Sequence, residues 1–423
     1  KNINTGSNNI SIGQEAGRYG CDRSHNISIG YYAGRLIGGH SSNIFIGKEA
    51  GKGAGTATDN TGENNVAIGS QSLESLSEGD MNVSLGEGAG RNLTTGRFNV
   101  FAGACAGCGN VAGKYNIAFG LASGAALAST QFSVLVGHHA GCFRTSGDYS
   151  IAIGREALKG TSGAATGEKN IGIGYLAGKN VSTGKCNVFI GNAAGPATTT
   201  GNNNIFIGDC VVKDGAVTGS NNTVMGNCAG LNLTSGNANV VMGLYAAGAF
   251  TSATDNIILG CYAAKNSISL CSNIIMGQET GACLCNGSHN IAMGQYTMRG
   301  SSTVSNNTAG NNVALGEQSL KVISSGHNNV AIGKETGYAL TSGTYNIFLG
   351  KSAGCSVTTG GDNFIGGYIA GATLTTGSNN VFIGCRAGRL ADEVHSNIFI
   401  GECAGCSTVC GSSCQGDTNI YIG

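Results

Sequence analysis

Asn9-Ile10-Ser11-Ile12-Gly13 returns as Asn26-Ile27-Ser28-Ile29-Gly30, as Asn43-Ile44-Phe45-Ile46-Gly47, and at the end of the chain as Asn419-Ile420-Tyr421-Ile422-Gly423. The unit reads Asn-(Ile/Val)-x-apolar-Gly, and its closing glycine occurs 24 times. Of the 23 intervals between these glycines, 18 are 17 residues, and the others are 22, 20, 18, 22 and 22. A short period held over a whole chain is the signature of stacked supersecondary units, each of which buries its apolar face only against its neighbours. The fold class that follows is all-β: a single parallel β-solenoid (β-helix) of about 24 rungs, residues 1–423, with loop insertions within 48–64, 155–169, 295–311 and 402–418.

Composition agrees with that reading. Glycine accounts for 74 of 423 residues and proline for one, yet there is no Gly-X-Y spacing, and the apolar residues recur in phase. Collagen and disorder are thereby set aside. Lys plus Arg and Asp plus Glu are 23 each, so the chain carries no basic field for nucleic acid or an anionic membrane surface. Stacking places like residues about 4.8 Å apart, where like charges repel, and charged residues make up only 11 %. No apolar run reaches membrane length. Seventeen cysteines point to an oxidising, extracellular or surface location, and the absence of an initiator Met and signal peptide suggests a processed segment.

Counting from the closing glycine as position zero, position −4 is Asn in 22 of 24 rungs, the exceptions being Ser133 and Ser150. Such a column predicts an amide ladder through Asn9, Asn26, Asn43, Asn82, Asn99, Asn187, Asn204, Asn380 and Asn397. Positions −3 and −1 are apolar almost throughout; two apart on a strand, they share a face, and we read that face as the interior. Position +3 is Ala, Ser or Thr in 22 of 23 rungs, so the core is narrow there. Glycines at 0, +4 and +10 mark corners that need positive φ or close backbone approach.

On this reading position −2 faces outward. It holds Phe45, Phe101, Phe189, Phe206, Phe348, Phe382, Phe399 and Tyr421, an apolar stripe that would serve as a lateral interface.

The units Asn92-Leu93-Thr94-Thr95-Gly96 and Asn380-Val381-Phe382-Ile383-Gly384, the latter followed by Ala387-Gly388, resemble the Asn-x-x-Ile-Gly-x-x-Ala-(Gly/Leu)…Thr-Thr-Gly repeats of phage and viral tail-fibre proteins and some bacterial surface proteins. They are similar, more distantly, to the β-roll heads of trimeric autotransporter adhesins. The resemblance covers essentially the whole chain and implies an extended fibre or adhesin shaft, often trimeric.

Cys105 and Cys108 share a rung, as do Cys403 and Cys406, while Cys210 and Cys228 fall at the same position of adjacent rungs. These, with Cys410 and Cys414, are disulfide candidates; the cluster Cys403, Cys406, Cys410 and Cys414 also has the composition of a zinc or iron–sulfur site. Sequons in exposed turns make Asn92, Asn180, Asn232, Asn286 and Asn306 glycosylation candidates. No acidic residue recurs beside the seven histidines, and no phosphate-binding Gly-x4-Gly-Lys-(Ser/Thr) is present, so no enzyme and no cofactor is expected. The function that follows is a structural subunit of an extracellular fibre whose partners are copies of itself, as a homopolymer stacked end to end or side by side, or as a trimer. The alternative is an adhesive fibre shaft, with the insertions at 52–62 and 301–309 contacting surface glycans or receptors.

Overall fold

The structure is a computed structural model; it describes residues 6–19, 23–36, 38, 41–56, 60–161, 165–300, 307–406 and 418–423. The described chain is all-β: 24 strands of three residues each, from β1 (Ile10–Ile12) to β24 (Ile420–Ile422), with the linking residues in turns and no helix. Every strand is the tripeptide before an anchor glycine. The chain divides into two compact units, Lys1–Asp209 with Ala216–Thr218, and Cys210–Gly215 with Gly219–Gly423. The division falls in the one interval of 18 residues, between Gly208 and Gly226.

In the first unit, β1 to β12 (Ile205–Ile207) form one parallel ladder in which equivalent positions lie opposite one another, as in Val188↔Ile205, Phe189↔Phe206 and Ile190↔Ile207. In the second unit, β13 (Thr223–Met225) to β24 stack the same way. Register survives the long intervals: Ile44 pairs with Val66 and Ile291 with Val313. The longer intervals therefore do not shift the register of the strands on either side. A parallel stack with one rung per turn is a β-solenoid.

The direction of the side chains corrects the expectation drawn from the sequence. Positions −3 and −1 point outward and position −2 points inward. Phe45, Phe101, Phe189, Phe206, Phe348, Phe382 and Phe399 are all core residues, and Tyr421, on the last strand, is the exposed member of the row. They are not a lateral interface. The reason lies in the Asn column. Positions −4 and −2 share a face, and the amide at −4 is buried, so −2 must be buried with it.

Asn99 shows how a ladder amide is used. Asn99 Nδ2 donates to Asn82 Oδ1 at 3.0 Å and to the Gly113 carbonyl at 2.8 Å. Its own Oδ1 accepts from the Asn116 backbone N–H at 3.0 Å and from the Asn116 amide at 3.1 Å. The column continues across the insertions, with Asn65 bonded to Asn43 and Asn312 to Asn290. A buried amide costs stability unless it is satisfied; here both donors and both lone pairs are.

Core volume is shared between −2 and +4. Where −2 is Phe, +4 is commonly Gly, and a Cβ built on Gly51, Gly107 or Gly405 would lie 2.3, 2.6 or 2.7 Å from the ring of Phe45, Phe101 or Phe399. In four of the six rungs with Ala at −2, at Ala67, Ala152, Ala292 and Ala314, position +4 is a buried Leu73, Leu158, Met298 or Leu320; Ala118 and Ala331 keep Gly124 and Gly337 there. At +3 the small residues sit in the core as expected, Ala33 and Ala89 among them.

The glycine at +10 serves close approach: a Cβ on Gly96 would stand 2.4 Å from the Gly113 carbonyl oxygen. Positive φ is needed instead at 0, +4, +2 and −5, and the last two rarely carry glycine. At −5 the left-handed residues include Asn64, Asn203, Asn311 and Asn328, the first members of Asn-Asn pairs whose second member enters the ladder. Asn tolerates that conformation better than most side chains.

Candidate interaction face

The inversion of the strand faces puts two apolar rows on the outside of each unit. In the first, Ile68, Leu85, Ile117, Phe119, Ile153, Ile173 and Ile205 are exposed; in the second, Met242, Ile257, Met293, Ile332, Ile347, Ile383 and Ile400 are. The exposures are near 40 % (Ile68 41 %, Phe119 40 %, Ile332 42 %), with the rungs above and below covering part of each side chain. The rows are uncharged and recur at every strand, interrupted only at Thr223 and Gly366. A monomeric soluble protein rarely exposes a contiguous apolar surface of this kind.

Beside these rows, position −5 adds an aromatic column in the first unit. Phe98, Tyr115, Phe132 and Tyr149 stack with centroids 4.9, 4.9 and 5.0 Å apart and planes within 7° of parallel. All four are exposed and all four have positive φ, from 55° to 60°. The rung imposes positive φ at −5 throughout, and at these four residues the stacked rings offset part of what that conformation costs a bulky side chain. Because the ring faces cover one another, the column presents ring edges outward and extends the apolar face.

The opposite character appears at +2 and +5, where acidic residues gather mainly at +2 and basic residues mainly at +5. Arg91 pairs with Glu74 at 3.0 Å, Lys179 with Glu156 at 2.9 Å, and Arg299 with Glu279 at 3.1 Å. Lys179 and Lys159 hold the Glu156 carboxyl below its usual range, the hydrogen bond from Lys179 contributing most. Tyrosines interleave with these cations: Lys265 lies 4.6 Å from the Tyr262 ring centroid and Arg35 4.4 Å from that of Tyr32. Many of these charges thus meet a partner on the same or a neighbouring rung.

The insertions are clamped at their bases. Asn60 Nδ2 donates to the carbonyls of Leu36 (2.8 Å), Ala54 (2.9 Å) and Thr56 (2.7 Å). Asn307, the equivalent residue of the other 22-residue interval with a described base, donates to the Cys283 carbonyl.

Among the described residues one disulfide is present, Cys105–Cys108. Cys210 and Cys228 stack on adjacent rungs without a bridge, and Cys403 and Cys406 are a dithiol. Cys410 and Cys414 lie outside the described residues, and no cluster of three or more metal-ligating side chains occurs within them. Burial pushes the Cys142 and Cys355 thiols up; for Cys406 burial does so first and the hydrogen bond with Cys403 second. Of the sequon residues, Asn92, Asn232 and Asn286 are exposed and Asn180 is half-buried, while Asn306 lies outside the described residues.

The element that sequence reasoning missed is Arg144. It occupies +7, where Leu or Val is usual, and its side chain is buried in the core. The signal was available: Arg144 stands between Ser133 and Ser150, the two positions where the Asn column is interrupted.

Compared with known proteins, the chain matches no family model and no curated protein.

Proposed function

We propose that this chain is a structural subunit of an extracellular fibre, and that copies of it pack side by side through the paired apolar rows at −3 and −1. The observation that carries the reading is the outward direction of those rows. Both flanks of the strands are Ile, Val, Leu, Met or Phe in nearly every rung, and no described segment of the same unit covers them. Burying apolar surface of this kind contributes about 25 cal/mol per Å², so a face repeated along a unit favours association strongly. Parallel in-register stacking, a hydrogen-bonded amide column and paired surface charges support a stiff unit suited to bearing load.

The test is to replace Ile117, Phe119, Ile153 and Ile173 by Thr, which keeps strand preference while removing apolar surface. Sedimentation should show the native chain assembled and the variant dispersed, with unchanged circular dichroism. An unchanged assembly state, or a native chain that stays monomeric at high concentration, would sink the reading. An adhesive shaft is the second reading, favoured by Asn60 and Asn307, whose amides bind the carbonyls of Leu36 and Cys283 beside those two insertions. Shortening both insertions should abolish surface attachment under that reading and leave side-by-side packing intact.

A further inference from the structure

Cys105-Ala106-Gly107-Cys108 and Cys403-Ala404-Gly405-Cys406 are the same four residues at the same place in two rungs. Their backbones agree: the first cysteine has φ of 52° and 56°, the glycine 60° and 66°. One turn is a disulfide and the other a dithiol, so a single geometry accommodates both oxidation states. All four cysteines are half-buried, within reach of small molecules.

The bridge pins little. Its ends are three residues apart in a turn already held by Cys105 N–H to the Glu87 carbonyl and Gly107 N–H to the Ser123 carbonyl, both 2.8 Å. A cross-link that closes so short a loop constrains the unfolded chain far less than one that joins distant rungs. It can therefore open without loosening the coil.

A cavity of about 500 Å³ lies against the bridge, lined by Cys105 and Cys108 and by Gln71, Glu74, Glu87 and Arg91. That volume is in the small-molecule range. On its rim Arg91 bonds Glu74 through Nε at 3.0 Å, which leaves its Nη groups to meet a carboxylate, and the Glu87 carboxylate lies alongside to meet an ammonium, the charges of an amino acid or short peptide.

We propose that Cys105–Cys108 is a thiol–disulfide exchange site whose substrate is a low-molecular-weight zwitterionic thiol docked in this cavity. The thiolate of the small molecule attacks one sulfur of the bridge. The Cys105–Cys108 bond breaks, a mixed disulfide forms, and the other cysteine leaves as a thiolate that takes up a proton. A second thiolate attacks the small-molecule sulfur of the mixed disulfide and releases the symmetrical disulfide, leaving the dithiol form seen at Cys403 and Cys406. Two electrons pass from two thiols to the bridge, and the reverse sequence re-forms it.

The test uses the full chain in buffers of varied reduced-to-oxidised glutathione ratio, quenched with iodoacetamide and read by peptide mass spectrometry. The peptide spanning 105–108 should move between zero and two alkyl groups as a two-electron couple, with a glutathione adduct trapped between them. Buried Cys142, Cys283 and Cys285 should stay unlabelled, and circular dichroism should not change. Arg91→Ala should slow exchange with glutathione about tenfold through loss of one charged contact, leave exchange with uncharged 2-mercaptoethanol unchanged, and be rescued by Arg91→Lys. A bridge that stays oxidised in excess reduced glutathione overturns the proposal. So does a loss of structure on reduction, or equal slowing with both thiols.

Discussion

Arg144 Nη2 donates to Ser150 Oγ at 3.0 Å, at the one place in the first unit where two successive rungs lack the ladder asparagine. The same nitrogen donates to the carbonyls of Gly147 and Gly167. These are the acceptors that asparagines at 133 and 150 would use, as Asn116 uses the Thr130 carbonyl and Asn170 that of Gly184. One guanidinium stands in for two missing amides. The replacement is imperfect, because Arg144 Nη1 is buried with no hydrogen-bond partner, and no carboxylate accompanies the charge.

The ladder should therefore be better than its substitute. Arg144→Leu combined with Ser133→Asn and Ser150→Asn should raise stability by about 2 kcal/mol, the cost of a buried unsatisfied group being of that order. Arg144→Ala alone should lower it by a similar amount, since two carbonyls lose their donor. Denaturant midpoints of the three proteins decide the matter.

Burial holds Arg144 down to about 10, below the ordinary guanidinium value. Between that pH and the ordinary value the unfolded chain keeps a proton that the folded chain has released, so stability from this residue rises with pH. Below pH 10 the penalty is constant. The advantage of the triple variant over the native chain should shrink as pH climbs above 10, and an advantage independent of pH up to the alkaline limit would refute the buried cation.

The trade between −2 and +4 makes a rescue experiment possible. Phe101→Ala should cost about 3–5 kcal/mol, and Gly107→Leu alone should clash, with a Cβ already 2.6 Å from the ring. The double variant copies the Ala67 and Leu73 pair of another rung, where leucine adopts φ of 47°. It should recover more than half of the loss in thermal stability.

Removing one amide should be felt by its neighbours. Asn99→Ala leaves the Asn116 backbone N–H, which donates to Asn99 Oδ1 at 3.0 Å, without its acceptor and the Gly113 carbonyl without its donor. The cost should be about 3 kcal/mol or more, at 1–3 for each buried group left unpaired. Amide hydrogen exchange at Asn116 should accelerate by the corresponding factor while distant rungs stay protected.

Substitutions at the two sides of a strand should separate folding from assembly. Phe189→Ser with Phe206→Ser removes two core rings 5.7 Å apart and should collapse the denaturation midpoint. Ile173→Thr with Ile205→Thr should leave that midpoint within the range of surface substitutions and alter sedimentation instead.

The chain's own residues determined the period, the parallel stacking, the amide column, the small residues at +3 and the glycine corners, because each is a matter of spacing that any reader of the sequence can count. Ala67 with Leu73 and Ala152 with Leu158 even record the volume trade across the core. What spacing could not fix was which parity faces inward. Ile117 and Phe119 are as apolar as Leu135, Phe101 and Phe189, so alternation alone leaves two solutions. Only the closed coil chooses between them: the Asn amides find all their partners inside it, at Asn82, Asn116 and Gly113 for Asn99, and they carry Phe101 in with them. Left-handed residues such as Phe98 and Cys105, and the entry of Arg144 into the gap left by Ser133 and Ser150, are likewise set by contacts between rungs that lie 17 or more residues apart in sequence.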